Sequence, residues 1–160
     1  MGQGSGGSGG GQGELFEQLL GDLEASVAGA CRPEEEWPAQ VAAGIYAGVE
    51  FAVANPLVVD ALLVLETTKR ASDSGYTGTI ERLAALISRD APAGSRLPVS
   101  TDEALVAGIV GLVGDHVRIG RFEALEALRP DLVLLALLPY LGFAEAREWA
   151  NRFAADEFRH

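Results

Sequence analysis

Cysteine, histidine and cationic side chains are scarce in this chain. A single cysteine, Cys31, excludes an internal disulfide and any cysteine-rich zinc site, and it suits a reducing cytoplasm. His116 and His160 are the two histidines and lie far apart, so the sequence offers no metal-ligand cluster and no nucleophile with a base beside it. No metal, cofactor or enzymatic activity is therefore expected. Lysine and arginine total 12 against 23 acidic residues, a formal net charge of −11. A nucleic-acid duplex would meet an acidic surface with few cations to displace its counterions, which opposes direct nucleic-acid binding. Long apolar runs are also missing: stretches such as LVLLALLPYLGFA fall short of the roughly 18 residues needed to cross a bilayer. A cytoplasmic protein with no membrane partner is expected. Nor does any segment offer a partner strand or a hairpin turn.

Residues 1–13 consist almost wholly of Gly, Ser and Gln, with little side chain to bury against the entropy lost on ordering. They read as a disordered tether, leaving 14–160 as one domain large enough to bury most of its apolar surface.

Apolar periodicity within 14–160 is helical throughout. Leu15, Leu19, Leu23, Val27 and Cys31, joined by Phe16 and Leu20, recur at steps of three and four and predict a first helix with one buried face. In RPEEEWPAQVAAGIYAGVEFAVANP the acidic triplet suits a helix start, and Asn55-Pro56 ends that helix and opens the next. Tyr46 and Glu50 are its strongly polar residues between Val41 and Ala54, so it belongs at the centre of the domain. Tyr76, Ile80, Leu83, Ala84 and Ile87 mark a further helix, stopped at Ala91-Pro92. Ser100-Thr101-Asp102-Glu103 has the form of a capping box launching a helix that closes at Gly120. Pro130 is suited to start the helix DLVLLALLPYLG, with Gly142 as its stop, and AEAREWANRFAADEF closes the chain with Ala146, Trp149, Ala150 and Phe153 inward. About seven helices and no strand predict an all-α bundle.

Glycine spacing in AGIVGLVG matches neither common phosphate-binding fingerprint, and the segment lies inside a helix whose amides are already bonded. Packing is the better reading: Ala104, Ala107, Gly108, Gly111 and Gly114 form a strip of small residues that admits a neighbouring helix or a ligand. His116 follows Asp115 directly, and adjacent helical residues point about 100° apart, so a packed or interface histidine is expected rather than a catalytic pair. Glu50 is the most informative residue. A carboxylate in so apolar a helix must be paired, protonated or wet; it either lines a pocket with Tyr46 or bonds locally at a helix boundary. Glu66 and Tyr76 are weaker candidates of the same kind.

The order of these signals, from about Glu14 to Trp149, resembles the ligand-binding and dimerisation domain of TetR-type transcriptional repressors. ELFEQLL resembles the helix that follows their helix-turn-helix headpiece; WPAQVAAGIYAGVEFAVANPLVVDALL resembles the central helix, its Asn-Pro break and the next helix. LPVSTDEALVAGIVGLVGDHVRIGRFEALEALRPDLVLLALLPYLG is similar to the closing helix pair of many members. The resemblance implies a homodimer in which helices over 101–119 and 131–141 of two copies form a four-helix bundle. Its contacts would come from Leu105, Gly108, Ile109, Gly111, Leu112, His116, Leu132 and Leu135. It also implies a pocket for a small apolar effector, walled by Tyr46, Glu50, Leu62, Glu66, Tyr76, Ile80 and Leu83. The family's basic headpiece is not represented in residues 1–13, so the chain is expected to sense and pair without reading an operator itself. A structural pairing module without a ligand site is the alternative, and a small helical enzyme ranks last.

Overall fold

The computed structural model describes residues 8–32, 35–61 and 74–159, with side chains from Glu14 in the first helix and from Thr77 after the gap. The described residues form seven helices and a 3-10 turn, with no strand among them. In order these are α1 (Ser8–Ala30), α2 (Trp37–Ala54), α3 (described over 56–61), α4 (Ser74–Ser88), the turn Ala93–Ser95, α5 (Val99–Arg118), α6 (Phe122–Leu141) and α7 (Phe143–Glu157). The all-α expectation is met. Among the described residues, no helix is long and apolar enough to cross a membrane.

The first helix starts earlier than its composition suggests. Backbone over Ser8–Gly13, inside the stretch read as a tether, is already helical. Propagating a helix adds a hydrogen bond per residue once a nucleus exists, and the apolar run beginning at Leu15 supplies that nucleus. Leu20, Val27 and Cys31 are buried as expected, but Leu15 faces solvent.

Helix α2 lies at the centre, in contact with α1, α5, α6 and α7. Pro38 occupies its first turn, where a missing N–H costs nothing, and Asn55 ends it. Both the Asn55 backbone N–H and its side-chain Nδ2 donate to the Phe51 carbonyl oxygen, at 2.9 and 3.0 Å.

Two starts differ from the sequence reading. Ser100 is not the N-cap of α5: the helix begins at Val99, behind Pro98, and no side-chain cap bond forms. The Pro98 carbonyl oxygen instead accepts from the Thr101 and Asp102 amides at 2.9 and 3.2 Å, while the Asp102 side chain turns inward. Nor does Pro130 open a helix, since α6 runs through it from Phe122. The missing N–H of Pro130 would have served the Glu126 carbonyl oxygen, and Arg129 Nε donates to that oxygen at 3.2 Å instead.

The ends of α5 and α6 follow the glycines. At Gly120 (φ 73°) the Arg121 amide donates to the His116 carbonyl and the Gly120 amide to the Val117 carbonyl, a Schellman closure. Gly142 (φ 79°, ψ 169°) ends α6 and begins α7 at once.

Burial divides the interior into two main clusters. The larger joins α2, α5, α6 and α7 around Leu125, Leu132, Val133 and Leu137, all essentially inaccessible. A second joins α1, α4 and α5 through Val27, Cys31, Ile80, Leu83, Ala84 and Val106. Burying a leucine or valine of this kind stabilises by about 1.5–3 kcal/mol.

Candidate functional site

A cavity of about 110 Å³ lies along the seam between these two clusters. Five helices wall it. Leu23 and Val27 come from α1, and Cys31 follows its last residue; Val58 and Val59 come from α3; Leu83 and Ile87 come from α4; Val106, Ile109, Val110 and Val113 come from α5. Helix α2 supplies the longest stripe, Val41, Gly44, Ile45, Gly48, Val49 and Ala52, at steps of three and four that keep them on one face.

Small residues on α2 shape the space in two ways. A Cβ at Gly44 would stand 2.9 Å from Cys31 Sγ and 3.3 Å from Val27 Cγ1, so α1 uses the room that glycine leaves. At Gly48 a Cβ would meet Val27 Cγ2 at an ordinary 3.7 Å, so that glycine leaves volume unfilled. The Cys31 thiol donates to the Gln40 carbonyl oxygen at 3.3 Å. Burial pushes its pKa up, against a smaller opposing influence from Arg89.

Of the expected pocket residues, Leu83 lines the cavity. Ile80 is buried in the second cluster without forming part of the wall. Tyr46 is buried on another face of α2, edge-on to Phe153 (ring centroids 4.9 Å apart) and beneath the Arg129 guanidinium at 4.5 Å. Burial raises its pKa, and Arg129 pulls the other way. Glu50 faces solvent rather than the cavity. It shares the outward sector of α2 with Ala43, Ala47 and Ala54, and hydration removes any need for a buried partner. Leu62 and Glu66 lie outside the described residues, as does the Tyr76 side chain. The wall residues that the sequence reading missed carry one signal, the stripe of glycine, alanine and β-branched residues on α2.

The expected contact residues separate similarly. Gly108, Leu112 and Leu135 are exposed, as is Leu138 of α6, and a Cβ at Gly108 or Gly111 would meet nothing within 4 Å. Leu105 and Ile109 are half-buried, Ile109 against the cavity. His116 is half-buried and its Nδ1 donates to the Leu112 carbonyl oxygen at 2.9 Å, while Asp115 pairs instead with Arg118 at 3.1 Å. Leu132 must be removed from any contact surface. At 1% exposure it belongs to the core of its own chain, because it falls on the inward stripe of α6 with Val133 and Ala136.

Asp102 is the buried carboxylate that the sequence reading did not identify. Its Oδ1 accepts a hydrogen bond from the Tyr140 hydroxyl, and the Tyr140 ring stands edge-on to Trp37, centroids 4.9 Å apart. Trp37 Nε1 in turn donates to the Ile87 carbonyl oxygen at 2.6 Å. This chain of contacts ties α5, α6, α2 and α4 together and reaches the cavity wall at Ile87. Among the described residues no three His, Cys, Asp or Glu side chains are grouped to hold a metal ion.

The described residues thus form an all-α protein with an apolar internal cavity. No family model matches the chain, and neither a curated protein nor a solved structure matches it.

Proposed function

We propose that this chain is the effector-sensing and dimerisation domain of a TetR-type transcriptional regulator. One observation carries the reading: α5 stands between the cavity and an open apolar face. Val106, Ile109, Val110 and Val113 line the cavity, while Ala104, Gly108 and Leu112 point outward. Leu135 and Leu138 of the adjoining α6 are also exposed, and bare glycine positions allow a second copy's helix to approach closely. Leu23 and Val27 of α1 and Cys31 just after it touch the cavity, so a ligand there bears directly on how α1 is seated. The resemblance in the order of sequence signals supports the same reading. The net charge of −11 favours sensing and pairing over direct contact with nucleic acid.

Solution mass tests it. The intact chain at micromolar concentration is expected to sediment as a dimer. Leu112→Glu combined with Leu135→Glu should give a monomer of unchanged helicity, since both side chains are exposed in the single chain. A monomeric parent protein would overturn the pairing half of the reading. A sequence-dependent shift of a DNA duplex at low salt would overturn the charge argument against direct contact with nucleic acid.

A pairing module without a ligand site is the second reading. The modest volume of the cavity favours it, because pockets for drug-sized ligands run to about 300–1,000 Å³.

A further inference from the structure

The chemistry of the cavity wall narrows what can occupy it. Apart from the Cys31 thiol, its described side chains are aliphatic, aromatic or absent, and that thiol already has the Gln40 carbonyl oxygen as its acceptor. Thr79, buried on α4 with no hydrogen-bond partner among the described residues, is not part of the wall. Most of the wall backbone lies inside helices, whose amides and carbonyls bond one another, while Cys31, Ala52, Val58, Val59 and Ile87 stand at helix ends. Among the described side chains, a ligand hydroxyl, amine or carboxylate that leaves its water behind finds no replacement, a loss of about tenfold or more in affinity per group.

Size narrows the choice again. A dry leucine-lined cavity of about 150 Å³ admits benzene or xenon. The space here, about 110 Å³, is of that order and matches a single ring or a short alkyl group better than a fused polycyclic or long-chain molecule. Gly48 belongs to the design of this space, since its missing Cβ relieves no clash and leaves volume beside Val27.

We propose, building on the effector-sensing reading, that the cavity binds an uncharged, hydrocarbon-like molecule with no hydrogen-bonding group and about the bulk of one aromatic ring or a short branched alkyl group. Recognition comes from burial and shape alone, and selectivity from the wall's inability to satisfy a polar substituent.

Benzene, phenol, benzoate and benzylamine, titrated against the full chain by calorimetry and thermal denaturation, provide the test. Benzene at millimolar concentration is expected to raise the melting temperature. Phenol should bind at least about tenfold more weakly, and the two ions should have no effect. Gly48→Leu and, separately, Ala52→Leu fill the space and should abolish the benzene effect while circular dichroism stays helical; two variants guard against one failing to fold. Benzoate or benzylamine binding as tightly as benzene would overturn the ligand class and leave effector sensing standing. No binding by any of the four would overturn both. A benzene effect that persists undiminished in a folded filling variant would place the ligand elsewhere and overturn the proposal.

Discussion

The Tyr140 hydroxyl donates to the Asp102 carboxylate inside the protein, joining the last turn of α6 to the first turn of α5. Asp102 is 5% exposed, so the bond replaces part of the water that the carboxylate gives up. Removing the hydroxyl alone strands the carboxylate. Tyr140→Phe is expected to cost about 1.5–3 kcal/mol, the range for hydrogen bonds to charged groups. Asp102→Asn should cost less, and the double variant less than the sum of the two. Chemical denaturation of all four proteins checks this, and simple additivity would show that the bond contributes no coupling.

The same pair predicts an alkaline effect. Burial foremost, then the hydrogen bond to Asp102 and its negative charge, raise the Tyr140 pKa above the ordinary tyrosine value of 10.0. A group whose pKa is raised by folding contributes fully below the unfolded value. Its contribution declines as pH climbs beyond that value, because the unfolded chain releases a proton that the folded chain retains. Unfolding free energy should hold steady up to about pH 10 as far as this group is concerned, then fall. Tyr140→Phe should flatten part of that fall, and Tyr46, also raised by burial, accounts for a further part. Parallel slopes above pH 10 in parent and variant would contradict the assignment.

Gly44 and Gly48 separate helix propensity from space. Each gains up to about 1 kcal/mol in intrinsic helix stability when changed to alanine. At Gly48 the new methyl meets Val27 at ordinary contact distance, so Gly48→Ala should raise the melting temperature. At Gly44 it stands 2.9 Å from Cys31 Sγ, and overpacking of this kind costs about 1–3 kcal/mol. Gly44→Ala should therefore melt below Gly48→Ala, and Cys31→Ala in the Gly44→Ala background should recover part of the difference. Equal melting temperatures for the two single variants would count against the described seating of α1.

Arg129 serves two neighbours at once, covering the Tyr46 ring and supplying the hydrogen bond that Pro130 withholds from Glu126. Arg129→Ala is expected to cost about 1–2 kcal/mol from the two contacts combined. With Pro130→Ala restoring the backbone N–H, the Arg129→Ala penalty should shrink by its hydrogen-bond share. An unchanged penalty in the two backgrounds, measured by denaturant titration, would separate the side chain from the proline.

Helix identity was legible in the sequence where apolar steps of three and four ran unbroken, as from Leu20 to Cys31 and from Ile80 to Ile87. Gly120 and Gly142 were legible as ends because a positive φ strongly favours glycine. Starts were less legible. Ser100 and Pro130 both have the chemistry of a helix start, yet a residue's fitness for that place does not show whether the helix has already begun, as it has by Val99 and Phe122. The site was the least legible part. Periodicity groups Val41, Ile45, Val49 and Ala52 on one face of α2 and Ala43, Ala47, Glu50 and Ala54 on another, but it does not say which face meets which neighbour. Tyr46 and Glu50 stand one turn apart, and small rotations about the axis send one under α6 and α7 and the other into water.

At Gly142 the backbone takes φ 79° and ψ 169°, a combination essentially confined to glycine, and this single residue is all that separates the end of α6 from the start of α7. Such an elbow has no slack. α7 cannot swing outward by loosening a loop, because there is none; it must stay folded back on its predecessor or peel away with it. Amide exchange along the two arms should accordingly rise and fall together, making the last two helices one thermodynamic unit hinged on an atom-sized joint.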